Sequence, residues 1–472
     1  MTVIGNIVAA ISGVLYQPWC VPLLLVFGGI WFTCRTGLMQ VRFFGESIRV
    51  VSEKPHTENG ISSFGALMVS TASRVGTGNI IGVSAAIISG GEGAIFWMWV
   101  TAFLGGATAF VESTLAQVYK KKNPDGTSYG GPAFYMQQAL HARWLGIIFS
   151  ILIIFTYAVG YNMLAAYNLQ TSFKAFDFYS KTSTPAVIGV ILMVLFAVIV
   201  LGGAKRLVNV TGILVPVMGV LYVAISILVL VLNAGNLPAM FGRIFASAFD
   251  FKAIFGGFTG SCLMFGLKRG LYSNEAGMGS APNAAATADV SHPVKQGLVQ
   301  MLSVFIDTLL ICSATALMCL STNVMPADYA TKEPIEFVQD SMSSTLGSFG
   351  PVFVTVALTL FAFTTLIGNY SYCEGCLKFI LKKDPSPAFL TVFRLIASAI
   401  ILLGAISSAN LVWDTADMAQ GLMVVTNVPS ILILGGVALK CFKDYERQRK
   451  EGKNPVFKAA NIGLFDKLDF WQ

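Results

Sequence analysis

The chain has little charge. Of its 472 residues only 12% are Asp, Glu, Lys or Arg, against about 25% in a soluble globular domain. A soluble chain of this length would divide into several domains with charged surfaces, and this composition excludes that. Histidine is almost absent: His56, His141 and His292 all fall in polar segments, so no intramembrane metal centre built on imidazole is visible. Among the eight cysteines only Cys373 and Cys376 have metal or redox spacing, with no second pair and no histidine beside them. They read as small packing residues. There is no His-Glu-x-x-His, no Gly-x-Ser-x-Gly and no protease-type pair of intramembrane aspartates, which argues against an intramembrane enzyme. Residues 1–15 carry no basic stretch and no convincing cleavage site, so they are expected to form a short interfacial helix and not a signal peptide. The net charge of +7 is spread over short loops, without the aromatic-interleaved basic patch of a nucleic-acid binder.

What is abundant is apolar sequence: 55% of residues are hydrophobic and the mean hydropathy is +0.70. The apolar residues come in runs of roughly 20, the length that crosses a bilayer core of about 30 Å. The expected fold is an all-α integral membrane protein with eleven transmembrane helices, at 18–34, 66–88, 94–118, 144–168, 186–203, 208–232, 252–276, 296–319, 350–374, 389–406 and 411–438. With the N-terminus outside, Arg35, Arg42, Arg49, Lys120 to Lys122, Arg143, Lys205, Arg206, Lys268, Arg269, Lys295, Lys378, Lys382, Lys383 and a basic C-terminal tail all fall in the cytoplasm. The outer loops keep Lys174, Lys181, Arg243, Lys252 and Lys332. Eleven crossings then leave the C-terminus in the cytoplasm.

With the first helix set aside (residues 1–60 with its loop), the other ten form two fives, at 61–235 and 250–440, followed by a tail at 441–472. Five is odd, so the two halves run inverted. Each leading helix is rich in glycine: Gly76, Gly78 and Gly82 in the first, Gly256, Gly257 and Gly260 in the second. Matched glycine-interrupted helices in two halves point to a transporter site at two broken helices, although Gly78 and Gly82 also have the spacing of a helix-packing pair.

A broken helix offers freed N–H groups to a carboxylate and freed carbonyls to Na⁺ or an ammonium. Gly76, Thr77, Gly78 and Asn79 are expected to bind substrate, with Gly260 at the second break. The carbonyls of Ala72 and Val75 and the hydroxyls of Thr364 and Thr365 are expected to form a sodium cage, unless those hydroxyls bond back to their own helix. Arg74, just before the first break, is expected to pair with an acid as an inner gate or a structural ion pair.

The stretch from Gly76-Thr-Gly-Asn-Ile-Ile-Gly to Leu104-Gly105 resembles a signature of the alanine/glycine:cation (sodium) symporter family. So do Glu112-Ser-Thr-Leu-Ala-Gln-Val-Tyr119, Arg269-Gly-Leu-Tyr-Ser-Asn-Glu-Ala-Gly-Met-Gly-Ser280 and Thr364-Thr-Leu-Ile-Gly368. The resemblance covers nearly the whole chain. It implies a leucine-transporter-like fold of 5+5 inverted repeats plus one extra N-terminal helix, in a bacterial inner (plasma) membrane. It implies Na⁺-driven, or in some members H⁺-driven, uptake of alanine or glycine, with no organic cofactor. Two positions depart from the family's usual pattern. Ala165 stands where relatives often carry Gln, and Asn369 where they often carry Trp. Both changes enlarge a pocket and point to a larger or more polar amino acid such as glutamine or serine.

Overall fold

The computed structural model describes residues 3–58, 60–464 and 468–471. About 78% of the structure is helical, and the only paired strands among the described residues form a two-residue-per-strand hairpin, Lys121–Lys122 with Ser128–Tyr129. Helix is what an apolar environment demands, because it satisfies every backbone polar group within one segment.

Seven helices are long and apolar enough to cross a bilayer: Ala94–Val118, Arg143–Ala175, Arg206–Leu232, Pro293–Leu320, Phe349–Leu381, Pro387–Ala405 and Ala409–Lys450. Each covers an expected span. The last runs well past 438, to Lys450, with basic residues in its final turn. Two further expected spans are shorter helices, Val21–Arg35 and Thr184–Val200. The remaining two are broken. Ser63–Arg74 ends at Val75, and a wide turn at Gly78–Gly82 leads into Val83–Gly90. Phe251–Gly256 is followed by a single tight turn at Phe258–Gly260 and then by Cys262–Asn274.

The N-terminal segment is helical at Val3–Leu15 and lies along the long last helix, with Leu15 seated against Gly421. Outward-facing Val, Ile and Leu of Thr184–Val200 and Gly203–Leu232 remain 43–70% exposed, as expected of side chains that face lipid. Around the breaks, by contrast, polar side chains are buried: Ser73, Arg74, Asn79, Glu112, Ser273, Glu275 and Asp307 are all at most 4% exposed. Polar residues on the inside and apolar ones on the outside make the interior the place where function is to be sought.

Candidate functional site at the helix breaks

The first break is a matter of local chemistry. Val75 leaves the helix in an extended conformation (φ −74°, ψ 92°), which turns its carbonyl away from the helix axis. The N–H of Gly76 is then taken up by the Asn79 side-chain oxygen at 2.7 Å, and the N–H of Asn79 returns to the Gly76 carbonyl at 3.2 Å. Asn79 thus caps the second half-helix from inside its own first turn. Gly76 is required by space: a Cβ there would sit 1.8 Å from the hydroxyl oxygen of Thr365. Gly78 and Gly82 make room for the ring of Tyr272, 3.0 and 3.3 Å from a Cβ at each. The packing role and the break coexist in one glycine run.

The deep interruption of the second half lies beyond Asn274. There Glu275 adopts the left-handed conformation (φ 56°), Gly277 and Gly279 also have positive φ, and helix resumes at Ala281–Ala285. Gly260, expected at the second break, is exposed and lies with Glu92, Arg243 and Asp250 around a cavity of about 530 Å³ near the far end of this helix. Sequence reading favoured the denser glycine cluster, but the turn at Glu275–Ser280 is the one that packs against the first break. The signal that marks it is Asn274-Glu275 followed by alternating glycines.

The two breaks are joined by a polar relay. The Ser73 hydroxyl faces both the Glu275 carboxylate (2.9 Å) and the Asn369 side-chain oxygen (2.7 Å), and Ser280 donates to the other oxygen of Glu275 at 2.7 Å. Asn369 in turn donates to Asn162 at 2.9 Å. On the other side Asn79 donates to the Asp307 carboxylate at 2.7 Å, and Ser273 and Thr308 donate to it at 2.8 and 2.9 Å. Asn79 and Asp307 sit in two of the chain's widened helical turns, Gly78–Gly82 and Ile306–Cys312. Such turns often mark functional sites. Thr77 meets the Tyr272 hydroxyl at 2.9 Å and accepts from Asn168 at 3.3 Å. Ala165 is buried on the stripe between Asn162 and Asn168.

Of the expected sodium ligands, Thr365 is 5% exposed and its hydroxyl has no hydrogen-bond partner. Thr364 donates back to its own helix, to Leu360 and Phe361 at 3.0 and 3.1 Å, which leaves its oxygen lone pairs free. A Cβ on Gly368 would lie 2.4 Å from the Ser73 nitrogen and 2.8 Å from the Ala72 carbonyl carbon. Here helix Phe349–Ser371 touches the broken helix backbone to backbone beside Ala72, and Thr365 lies against Gly76, whereas Thr364 faces Met218 at 3.4 Å. Arg74 corrects an expectation. It makes no salt bridge within 4 Å among the described residues and reaches only the carbonyl and side-chain oxygens of Gln300, at 3.4 and 3.3 Å. Glu112, Glu275 and Asp307 act on it at longer range.

Both ends of the site are closed. At one, Asp417 pairs with Lys268 (2.6 Å) and Arg269 (3.0 Å), and Arg269 stacks 4.2 Å over the Trp413 ring, which meets Tyr272 edge to face. At the other, Lys295 pairs with Glu53 at 2.7 Å, Ile61 bonds the Asp289 N–H, and the C-terminal tail returns so that Trp471 donates to the Gln117 carbonyl. Removing one partner of a buried pair costs about 3–5 kcal/mol. Asp417→Asn is therefore expected to open its end. Labelling of Cys312, which lies beside Asn79 and Ser273, by an aqueous thiol reagent should rise about tenfold or more, and an unchanged labelling rate would show that the ion pairs do not close the site.

Residues 1–459 match the model of the sodium:alanine symporter family. The chain belongs to that family. It is 43% identical over 450 residues to the amino-acid carrier protein AlsT of Bacillus subtilis (strain 168), covering 95% of this chain and 94% of the relative. It is 42% identical to the probable sodium/glutamine symporter GlnT of the same organism, covering 99% and 96%. Among solved structures, MhsT in complex with L-phenylalanine aligns with 86% of this chain and 92% of its own, at a TM-score of 0.53 and 17% identity. That likeness carries the fold alone, and the fold is of the leucine-transporter type.

Proposed function

We propose that this symporter takes up a small neutral amino acid, such as alanine or glycine, together with Na⁺ by alternating access. The family supports sodium-coupled amino-acid symport. The observation that carries the reading further is the buried, unpartnered hydroxyl of Thr365, aimed at Gly76 where the helix is broken. A buried polar atom without a partner costs about 1–3 kcal/mol, and a hard cation held by that oxygen, the Thr364 oxygen and the Ala72 and Val75 carbonyls would offset the cost. The substrate's backbone would lie at Gly76 to Asn79, with Ala165 and Asn369 nearby. In this reading eleven crossings form two inverted fives plus one helix, in the bacterial inner membrane. The N-terminus is outside and Lys295 with the tail belongs to the cytoplasmic gate. Lys268 and Arg269, assigned to a cytoplasmic loop on charge alone, lie within helix Cys262–Asn274, and in this reading they belong with Asp417 to the outer gate.

The energetics suffice. One Na⁺ crossing 100 mV releases about 2.3 kcal/mol, and a tenfold gradient adds about 1.4 kcal/mol. Together these concentrate a neutral zwitterion by two to three orders of magnitude, as a rough estimate. Thr365→Ala is expected to raise the Na⁺ concentration for half-maximal uptake about tenfold, the effect of one lost ligand, while melting changes little. A Na⁺ dependence equal to that of the wild type would remove Thr365 from the site.

A glutamine-preferring reading draws on the small Ala165 and on the kinship with GlnT. Asn369 supports it only in part, since its oxygen and one N–H are already engaged by Ser73 and Asn162. Asn162 keeps a buried N–H group without a partner beside Ala165, and that donor suits a polar side chain. Asn369→Trp is expected to shift competition between alanine and glutamine about tenfold toward alanine. An unchanged profile would end the wide-pocket idea.

A further inference from the structure

We infer that the chain holds the headgroup of an anionic phospholipid in a basic cavity between its loops, remote from the helix breaks. The cavity encloses about 530 Å³ and is lined by Lys121, Lys122, Arg143, Lys378, Lys382 and Lys383, with Asp384 as its one acidic wall residue. Two of these cations are already neutralised, Lys378 by Asp384 at 2.6 Å and Lys121 by Asp469 at 3.0 Å. Arg143 bonds only neutral acceptors, the Gln137 side chain at 2.6 Å and the Phe379 carbonyl at 2.9 Å. Lys122, Lys382 and Lys383 have no ion-pair partner among the described residues. A wall with this excess of positive charge calls for an anion.

Two features make the anion a phosphate. Helix Arg143–Ile154 begins at the cavity without a side-chain cap, so the positive end of its dipole adds to the lysines. Lys382 is one of only four non-glycine residues with positive φ among the described residues (φ 58°). It ends helix Cys373–Leu381 in the left-handed conformation and carries Lys382 and Lys383 round to the cavity wall. A residue held in that conformation is strained, and binding of the phosphate by the two lysines offsets that strain.

A third feature makes the phosphate part of a lipid. Trp144, Ile148 and Ile151 are 66%, 44% and 54% exposed and follow one another at helical spacing along one face, starting at the cavity rim. An exposed Trp beside a basic pocket marks the level of the headgroups, and the isoleucines provide an apolar track for an acyl chain. Basic pockets between membrane helices on the cytoplasmic side are the usual setting for phospholipid headgroups, and a free phosphate compound would have no use for the track.

The test uses the whole purified chain, stripped of lipid in neutral detergent. Phosphatidylglycerol, phosphatidylcholine and inorganic phosphate are titrated separately, with retained lipid counted by native mass spectrometry and the melting temperature followed in parallel. Phosphatidylglycerol is expected to be retained and to raise the melting temperature, and the other two are not. The triple variant Lys122→Gln/Lys382→Gln/Lys383→Gln should bind it about a hundredfold more weakly, given the contribution of each lysine near an anionic lipid. Its lipid-free melting temperature should be unchanged, because all three side chains are exposed. Should that variant fold poorly, a salt titration of the wild type decides: retention must fall as salt rises. Equal retention by the triple variant, equal binding of phosphatidylcholine, or insensitivity to salt would overturn the inference. A thermal shift from inorganic phosphate as large as that from phosphatidylglycerol would overturn its assignment to lipid.

Discussion

Gly76→Ala is expected to abolish uptake. A methyl group at that position would lie 1.8 Å from the Thr365 hydroxyl oxygen and 3.0 Å from its Cβ, and neither neighbour can retreat, because helix Phe349–Ser371 already touches the broken helix backbone to backbone at Gly368. Overpacking of this kind costs about 1–3 kcal/mol of stability. The functional cost should be larger, since the same displacement moves the Thr365 oxygen away from the break where sodium is proposed to bind. A loss of about a hundredfold in uptake, or about 2.7 kcal/mol, is the expected minimum. The double variant Gly76→Ala/Thr365→Gly separates the two effects. It removes the clash and should recover the melting temperature, yet it lacks the hydroxyl and should not recover uptake. Recovery of both would mean that Thr365 only fills space.

Glu275→Ala is expected to cost about as much. Glu275 is fully buried, stands in the left-handed region (φ 56°), and touches both interruptions, through Ser73 and Ser280. Its removal leaves both hydroxyls without their carboxylate, with Ser73 still bonded to Asn369. Each abandoned buried group costs about 1–3 kcal/mol, so initial uptake should fall about a hundredfold. Glu275→Gln keeps an oxygen toward Ser73 and should retain about a tenth of wild-type uptake, the loss of one charge-assisted bond. If the alanine variant transported normally, the relay between the breaks would have no part in transport.

Much of this was legible in the sequence, because the bilayer imposes simple rules. A run of some 20 apolar residues has one structural outcome, and the span at 94–118 is the helix Ala94–Val118. The first break was legible too, since glycines at 76, 78 and 82 inside such a run have few other uses. Of the four proposed sodium ligands, Thr365 lies against the first break at Gly76, whereas Thr364 turns to Leu360, Phe361 and Met218. What the sequence concealed depends on contacts between distant segments. Gly256, Gly257 and Gly260 outnumber Gly277 and Gly279, yet only the later turn meets the first break. Asp307 gave no sign of its tie to Asn79, which depends on two widened turns lying side by side. Arg74 looked like half of an ion pair, but it is held by Gln300 and faces its acids only at a distance.

The most direct test of the central claim is uptake of labelled alanine into proteoliposomes, with and without an inward Na⁺ gradient, for the wild type and Thr365→Ala side by side. The account predicts accumulation that requires the Na⁺ gradient, saturates with alanine, and in the variant shifts to higher Na⁺. Accumulation independent of Na⁺, or a variant with unaltered Na⁺ dependence, would contradict it.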